Sequence, residues 1–397
     1  MQLPIYMDCH ATTPIDPVVW DAMLPYWTTH FGNAASRAHA FGWVAAEAVE
    51  RARAQVAAAI GASVREIVFT SGATESIHLA LRGALRARRA RGRHVVTTAI
   101  EHKAVLGVMR EFAAEGWDIS IVAPRPDGIV DPEAIAAALR ADTVLVAVMT
   151  ANNEIGTLQP LAAIGALLGT RDILFFTDAA QAVGKVPIDV RAAQVDLLAM
   201  SAHKLYGPKG VGALYVRGGA DNVHLEPSSP GGGQEHGLRS GTLNVPAIVG
   251  LGKACEVAAA QLPADAARVL ELRERLRLGL QAALPDVRLN GALAPRLPGN
   301  LNLGFAGVTG ESLLMQLNDI AVSPGAACDN QNAAPSHVLR AIGVPDDLAR
   351  SSIRFGLGRF NTVEEVDYVI GKVTTVVQRL RATSPQRTTR AEPEEVR

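Results

Sequence analysis

The chain has 397 residues, 48% of them hydrophobic, and its formal net charge at pH 7 is −1. Length alone predicts two or three domains, and the near-neutral charge argues against nucleic acid or an anionic membrane as a constitutive partner. We expect neither a membrane span nor a signal peptide, and three cysteines are too few for a disulfide framework, so the expected location is the reducing cytoplasm.

Short β-rich runs alternate with longer alanine-rich segments between about residues 43 and 217. This alternation predicts an α/β fold in which helices cover both faces of a mostly parallel sheet. Helices are predicted at 42–60 and 103–115. Strands are predicted at 66–70, 94–98, 119–122, 144–149, 173–177, 196–201 and 212–216.

The pattern changes beyond the glycine-rich segment 231–241. Two long helices are predicted between residues 245 and 284, followed by a smaller α+β region with strands near 300–304 and 352–355. We therefore predict a large domain at 16–259, a small domain formed by 1–15 and 260–383, and a disordered tail at 384–397.

Two residues with complementary chemistry follow neighbouring predicted strands. Asp178 ends one apolar run, and Lys204 comes just beyond another. Ligands of parallel sheets bind outside the carboxyl ends of the strands, so we expect both side chains in one site. A lysine that bonds to an aldehyde and a carboxylate that keeps a pyridine nitrogen protonated are what pyridoxal phosphate requires. The chain has only six lysines, which makes this placement informative.

The segment 70–75 follows a strand and opens a helix, and it includes Ala73 and Thr74. Backbone N–H groups at a helix start, with nearby hydroxyls, form phosphate sites. The same residue types also make an ordinary helix cap. Together with Asp178 and Lys204, the segment favours a phosphate site.

Three other polar residues are candidates for the same site. His102 begins a helix after strand 94–98, where an imidazole can stack on a ring and exchange protons. Asn153, in the pair 152–153, offers an amide to a ligand or belongs to a simple turn. Arg354 lies on an alternating strand and binds either a substrate carboxylate or a surface acid.

Cys328 lies among the small and turn-forming residues of 322–332. This composition predicts a mobile surface loop, and an exposed thiol there can act as a nucleophile. Cys9 and Cys255 are predicted to be structural, because both adjoin apolar or helical segments.

These residues resemble the cysteine desulfurases, the NifS/IscS group of the class V pyridoxal-phosphate transferases. The resemblance covers nearly the whole chain, and its motifs occur in the same order. They include SGATES at 71–76, EHK at 101–103, NNEIG at 152–156, HKLYGPKG at 203–210, RSGT at 239–242 and IRF at 353–355.

The resemblance implies a homodimer of fold type I, with a seven-stranded, mostly parallel sheet in the large domain. It implies that L-cysteine is converted to L-alanine, with a persulfide formed on Cys328 and passed to an acceptor protein. That acceptor would be an iron–sulfur scaffold, a component of tRNA thiolation or another specialised pathway. Neither a resident metal nor direct nucleic acid binding is expected.

The resemblance also implies roles for the site residues. Lys204 would bond to the cofactor aldehyde, Asp178 would pair with the ring nitrogen, and His102 would stack on the ring. The carboxylate of the substrate would lie on Asn153 and Arg354. The remaining cofactor contacts would be Gln181 at the ring hydroxyl and Ala73, Thr74, Ser201, His203 and the partner subunit's Thr242 at the phosphate.

Several positions depart from the pattern of the group. Pro324 and Ala326 stand where serines are usual, and Pro324 should stiffen the loop. Asp329 replaces serine or threonine, and its charge should disfavour the Cys328 thiolate. His236 stands at a usual arginine and Ala34 at a usual proline. We therefore predict a specialised sulfur acceptor.

Two other classes of function remain as alternatives. A class V aminotransferase or lyase without sulfur transfer would keep Lys204 and Asp178 but give Cys328 no role. A non-catalytic interaction protein would keep the fold but not the complete set of cofactor residues. Selenocysteine as a substrate is also chemically possible.

Overall fold

The computed structural model describes residues 2–169, 171–324 and 335–383. Its strands are β1 (Ile5–Tyr6), β2 (Ile67–Thr70), β3 (His94–Thr98), β4 (Asp118–Val122), β5 (Thr143–Ala147), β6 (Leu174–Asp178), β7 (Leu197–Ser201), β8 (Gly212–Val216), β9 (Val287–Leu289), β10 (Asn300–Phe305), β11 (Ile320–Ala321), β12 (Ser323–Pro324) and β13 (Ser352–Gly356). Its α-helices are α1 (Pro17–Met23), α2 (Pro25–Thr28), α3 (Ala40–Ala59), α4 (Ala73–Arg88), α5 (Lys103–Ala114), α6 (Pro132–Ala138), α7 (Leu161–Leu168), α8 (Val245–Ala283), α9 (Gly310–Gln316), α10 (His337–Ala341), α11 (Asp346–Arg350) and α12 (Val363–Thr383).

Seven strands form the large sheet in the order β2-β8-β7-β6-β5-β3-β4. Only β8 runs antiparallel to its neighbours. Helices α4 and α5 pack on one face, and α3, α7 and α8 pack on the other. Because both faces are covered, most of these strands are buried throughout and have continuous apolar sequences. The predicted seven-stranded, mostly parallel sheet is confirmed.

The two long helices predicted between residues 245 and 284 are a single helix, α8, with Pro263 in its interior. A proline there removes one backbone hydrogen bond and costs about 3 kcal/mol. Burial on both sides of it favours the continuous helix, since the first half packs on the large sheet and the second half enters another core. By length and hydropathy alone α8 is long enough to span a membrane, but half of its apolar window is buried inside the protein.

A smaller α+β region surrounds the second half of α8. Strands β12-β13-β10-β9 form an antiparallel sheet, and β1 pairs in parallel with β11. Ile5 and Met7, near the start of the chain, lie in the core of this region. The predicted domain boundaries stay a prediction, because α8 belongs to both cores and α10 packs Val338 and Leu339 against the core of the large sheet.

A buried ion pair connects α3 to the segment before α8. Arg53 and Glu235 are each only 6% exposed, and the Arg53 Nη1 and Nη2 atoms donate to the Glu235 carboxylate at 2.8 Å. The same carboxylate accepts from the Phe69 amide at 2.7 Å. This contact fixes the segment beside the last residues of β2.

Replacing Glu235 leaves the buried Arg53 charge paired only with the exposed Glu50 carboxylate, and it leaves the Phe69 amide without this acceptor. We expect Glu235→Ala to lower the free energy of unfolding by about 3–5 kcal/mol, measured by chemical denaturation. The control is Arg51→Ala, since Arg51 and Glu47 form an exposed pair on the same helix, and the expected change is below about 0.5 kcal/mol. Changes of equal size in the two variants would contradict this assignment.

Candidate active site

A cleft of about 520 Å³ opens at the carboxyl ends of the strands in the large sheet. The side chains around it come from segments that follow different strands. The sequence analysis expected this arrangement for Asp178 and Lys204. Nine of the predicted site residues line this cleft. They are Ala73, Thr74, His102, Asn153, Asp178, Gln181, Ser201, His203 and Lys204.

Lys204 and Asp178 follow neighbouring strands and line the same cleft. Lys204 lies in a short 3-10 turn directly after β7, and Asp178 is the last residue of β6. Burial lowers the pKa of the Lys204 amine, and Arg354 acts in the same direction while Asp178 opposes it. A lowered pKa leaves more of the amine neutral, and only the neutral amine attacks a carbonyl group.

Asp178 is held rigidly where it enters the cleft. It is 6% exposed, and its Oδ1 accepts a hydrogen bond from the Ala180 amide at 2.9 Å. One carboxylate oxygen remains available to a ring nitrogen.

The N-terminus of α4 also lines the cleft. Gly72 caps this helix with φ of 153° and has no side chain to accept from the first amides. Gly212 lies beside it, and a Cβ there would come within 2.6 Å of the Gly72 Cα atom. The amides of Ala73 and Thr74, with the Ser201 hydroxyl nearby, therefore form a site with the chemistry of a phosphate site.

His203 lines the cleft as well. Its Nδ1 atom is 3.1 Å from the Thr12 hydroxyl, which anchors the ring to the segment before α1. Burial is the main influence that lowers the pKa of His203 to about 4, and three lysines, Lys204 first, act in the same direction. The imidazole is therefore neutral near pH 7.

His102 caps α5, and its Nδ1 accepts from the Ala104 amide at 3.2 Å. This contact leaves the proton of the neutral ring on Nε2. Burial lowers the pKa of His102, and the Asp178 carboxylate partly opposes the effect. A neutral imidazole with a fixed tautomer can stack on a flat ring and exchange protons.

Glu101 supports this region and was missed in the sequence. It is fully buried, and its Oε1 accepts from the Met149 amide at 2.8 Å and the Thr98 hydroxyl at 2.9 Å. Burial raises the pKa of Glu101 to about 8. The sequence feature that could have indicated Glu101 is an acidic residue between the end of β3 and the helix cap His102.

Of the pair at 152–153, the first residue builds a turn and the second lines the cleft, and ligand binding by Asn153 stays a prediction. Asn152 is buried, and its amide bonds to the Ile100 carbonyl and to the amides of Glu154 and Ile155, which builds the turn. Asn153 lines the cleft. The first residue thus positions the second.

Arg354 lies on β13 next to this turn rather than on the cleft wall. It is 8% exposed, its Nη1 donates to the Asn153 carbonyl at 2.8 Å, and its Nη2 donates to Asp8 Oδ1 at 2.7 Å and to Ser323 Oγ at 2.8 Å. The guanidinium is therefore held by a half-buried acid at the edge of the site.

Besides Arg354, two predicted residues do not line the main cleft. Thr242 lines a separate cavity of about 150 Å³, which shares Ser71 and Gly210 with the main cleft. Cys328 lies outside the described residues, as do Ala326 and Asp329. Cys9 and Cys255 are free and buried. Within the described ranges, no group of three or more potential metal ligands occurs.

The described residues on either side of 325–334 approach the cleft. On one side, Ser323 pairs with Arg354 in the small sheet and bonds to its guanidinium. On the other, the Ser336 hydroxyl caps α10 and bonds to the Glu154 carboxylate. Both ends therefore contact residues adjacent to Asn153.

The model of the aminotransferase class-V family matches residues 5–369, which is most of the chain. The chain belongs to this family. The family depends on pyridoxal 5′-phosphate, and the residues that line the cleft fit that group, so the predicted cofactor is confirmed.

Individual relatives narrow this assignment. A cysteine desulfurase IscS from Anaeromyxobacter dehalogenans (strain 2CP-C) is 56% identical over 97% of the chain and 95% of the relative. A cysteine desulfurase from Homo sapiens is 53% identical over 96% of the chain and 83% of the relative. The predicted family and the enzyme class, a pyridoxal-phosphate-dependent cysteine desulfurase, are confirmed.

A solved structure described as a NIFS-LIKE PROTEIN has the same fold. It superimposes with a TM-score of 0.88 and is 38% identical, covering 95% of this chain and all of its own. The class V fold predicted for the chain is confirmed.

Proposed function

We propose that this chain removes sulfur from free L-cysteine, releases L-alanine and passes the sulfur through Cys328 to an acceptor protein. The observation that carries the proposal is the convergence of Lys204, Asp178 and the N-terminus of α4 on one cleft. The identity to cysteine desulfurases over nearly the whole chain supports the same reaction.

The cleft offers a separate contact for each part of the cofactor. The amides of Ala73 and Thr74 would bind the phosphate with the Ser201 hydroxyl, and Lys204 would bond to the aldehyde. Asp178 would hold a proton on the ring nitrogen, which is the arrangement that stabilises negative charge in the ring. When bound, pyridoxal phosphate accepts the electron pair released at the α-carbon of the substrate.

The edge of the cleft supplies the contacts for an amino acid. Arg354 and Asn153 lie together there, and a guanidinium and an amide are suited to a carboxylate. Lys204, released as an amine, is within the cleft and would take the α-proton. The lowered pKa of Lys204 favours the neutral form that accepts it. His102 would assist with its neutral imidazole.

Cys328 would take the sulfur as a thiolate. Its sulfur would attack the sulfur of the substrate, so that a new S–S bond forms while the C–S bond to the β-carbon breaks. The electron pair of that bond stays with the carbon fragment, which two protons convert to alanine.

The experiment that tests this proposal compares wild type with Cys328→Ala. We expect both proteins to bind the cofactor, but only wild type to form a protein persulfide and L-alanine from L-cysteine, with a loss of at least about a thousandfold in the variant. Cys255→Ala is the control, since Cys255 is fully buried in α8, and it should keep both products. Unchanged activity in Cys328→Ala would contradict the role of this thiol.

A homodimer is supported by an aromatic patch on the surface. We define the patch as five large aromatic side chains of segment 20–43 that are 46–65% exposed, two of which, Phe31 and Phe41, have ring centroids 5.4 Å apart: Trp20, Trp27, Phe31, Phe41 and Trp43. Exposed apolar clusters of this kind mark protein interfaces. The predicted contribution of Thr242 to the cofactor site of the other subunit also requires two copies.

Charge introduced into this aromatic patch should prevent dimer formation. We expect Phe31→Glu to be monomeric in sedimentation equilibrium at concentrations where wild type is a dimer, because a carboxylate cannot be buried there without a partner. Ile121→Glu is the control, since Ile121 is 57% exposed on the edge strand β4, away from the patch. A monomeric wild type, or a dimeric Phe31→Glu, would contradict the proposed interface.

The acceptor and the location remain proposals. Pro324 in β12 and the residues at 326 and 329 depart from the pattern of the group, and we therefore propose a specialised acceptor. Robust sulfur transfer to a standard iron–sulfur scaffold protein would contradict this proposal. The free state of Cys9 and Cys255 is consistent with a reducing compartment, and we propose the cytoplasm.

A further inference from the structure

Gln181 is held from behind by two residues that the reaction scheme does not use. Its Oε1 lies 3.0 Å from His10 Nδ1 and 3.2 Å from Lys185 Nζ, and its Nε2 donates to the His10 carbonyl at 2.8 Å. We call His10, Gln181 and Lys185 the amide clamp. His10 and Gln181 are 2% and 4% exposed, so bulk water does not compete for these contacts.

The contacts determine which end of the Gln181 amide faces which neighbour. A backbone carbonyl only accepts, so the atom bonded to the His10 carbonyl must be the NH₂ group. The oxygen then faces His10 Nδ1, which must carry the ring proton to donate. Burial keeps the pKa of His10 well below its usual value, and the Lys185 and Arg354 charges act in the same direction, so the ring is neutral and its single proton lies on Nδ1, facing the Gln181 oxygen.

One N–H of the Gln181 amide has no partner within the amide clamp. The NH₂ group has two hydrogens, and the His10 carbonyl takes one of them. Gln181 lines the cleft, so the second hydrogen is available to a ligand there. A ligand atom at this point therefore meets a donor rather than an acceptor.

We propose that His10 and Lys185 are positioning residues that fix the Gln181 amide so that an N–H group faces the cofactor's ring oxygen. This inference rests on the proposed function, in which the ring hydroxyl lies at Gln181. A fixed donor favours the deprotonated form of that oxygen over the hydroxyl form, because a hydroxyl would also need an acceptor. Without the clamp the amide can rotate and present its own oxygen.

The surroundings of Lys185 fit a role within the clamp. Burial is the main influence that lowers its pKa to about 7, the Lys204 and Arg354 charges lower it further, and Cys9 opposes them. Its contact to Gln181 is available whether the amine is charged or neutral, since both forms donate. His10 then supplies the second donor to the same oxygen.

A cofactor analogue without the ring oxygen separates positioning from general support of the fold. The full chain, freed of cofactor, would be titrated with pyridoxal 5′-phosphate and with 3-deoxypyridoxal 5′-phosphate. We expect His10→Ala to weaken binding of pyridoxal phosphate about tenfold, the scale of one hydrogen bond to a charged acceptor, and to leave the analogue unchanged. Lys185→Met should act in the same direction, and Gln181→Ala should add nothing to His10→Ala.

Two variants control this experiment. His10→Asn can donate from its amide in the place of Nδ1 and should restore the preference for pyridoxal phosphate. Cys9→Ala changes the adjacent buried side chain, which does not bond to Gln181, and should leave the ratio of the two affinities as in wild type. A loss that is equal for both compounds in His10→Ala and Lys185→Met would overturn the positioning role alone. A wild-type chain that binds neither compound would contradict the proposed function itself.

Discussion

Lys204→Ala is expected to lose the reaction with L-cysteine by at least about a thousandfold and to lose covalent attachment of the cofactor. The physical reason is the position of the amine. It lies beyond β7 inside the cleft that Asp178 also lines, and its lowered pKa increases the neutral fraction of the amine. Two other lysines lie nearby: Lys209 also lines the cleft, and Lys185 is bound to Gln181 behind the cleft wall.

Two readouts check this prediction. One is the rate of alanine formation, and the other is mass spectrometry of the borohydride-reduced protein, which locates the residue that carries the cofactor. Lys253→Ala is the control, because Lys253 pairs with Glu256 on α8 and does not line the cleft. A reduced adduct on a lysine other than Lys204 in wild type would contradict the assignment.

Asp178→Asn should retain the cofactor but lower kcat by about a hundred- to a thousandfold, on the scale of a lost electrostatic contact to the reacting group. An asparagine keeps the shape of the side chain and its acceptor for the Ala180 amide, but it does not keep the ring nitrogen protonated. The loss of negative charge therefore affects the electron-accepting ring more than the fold.

The matched control for this substitution is Asp196→Asn. Asp196 precedes β7 at the opposite edge of the sheet, where its Oδ2 accepts from the Phe175 amide at 2.7 Å. Burial raises the pKa of Asp196, so its replacement tests the same loss of a carboxyl group away from the cleft. We expect kcat close to wild type in this control, and equal losses of kcat in both variants would argue against a specific role for Asp178.

The sequence was sufficient to predict that residues following the ends of parallel strands lie in one site. Asp178, His102 and Lys204 could be assembled because parallel strands bring their carboxyl ends to one edge, and the strands themselves are continuous apolar runs. Helix α8 was harder. Two helices were predicted between residues 245 and 284, and only burial in two cores shows that one helix continues through Pro263.

Contacts between distant parts of the chain could not be predicted in this way. Arg354 bonds to Asp8 across 346 positions, and no local pattern in either segment indicates that pairing. The contact of His10 with Gln181 spans 171 positions and depends on the packing of the first residues against the large sheet. Such pairs need the three-dimensional arrangement.

The most direct test of the account is the product balance of the purified wild-type chain with L-cysteine and a thiol reductant. We predict L-alanine and sulfide in equal amounts, with no keto acid, because Cys328 accepts the sulfur while the carbon fragment is protonated. A keto acid without alanine would instead indicate an aminotransferase or lyase. The absence of any product from cofactor-loaded protein would contradict the proposed reaction.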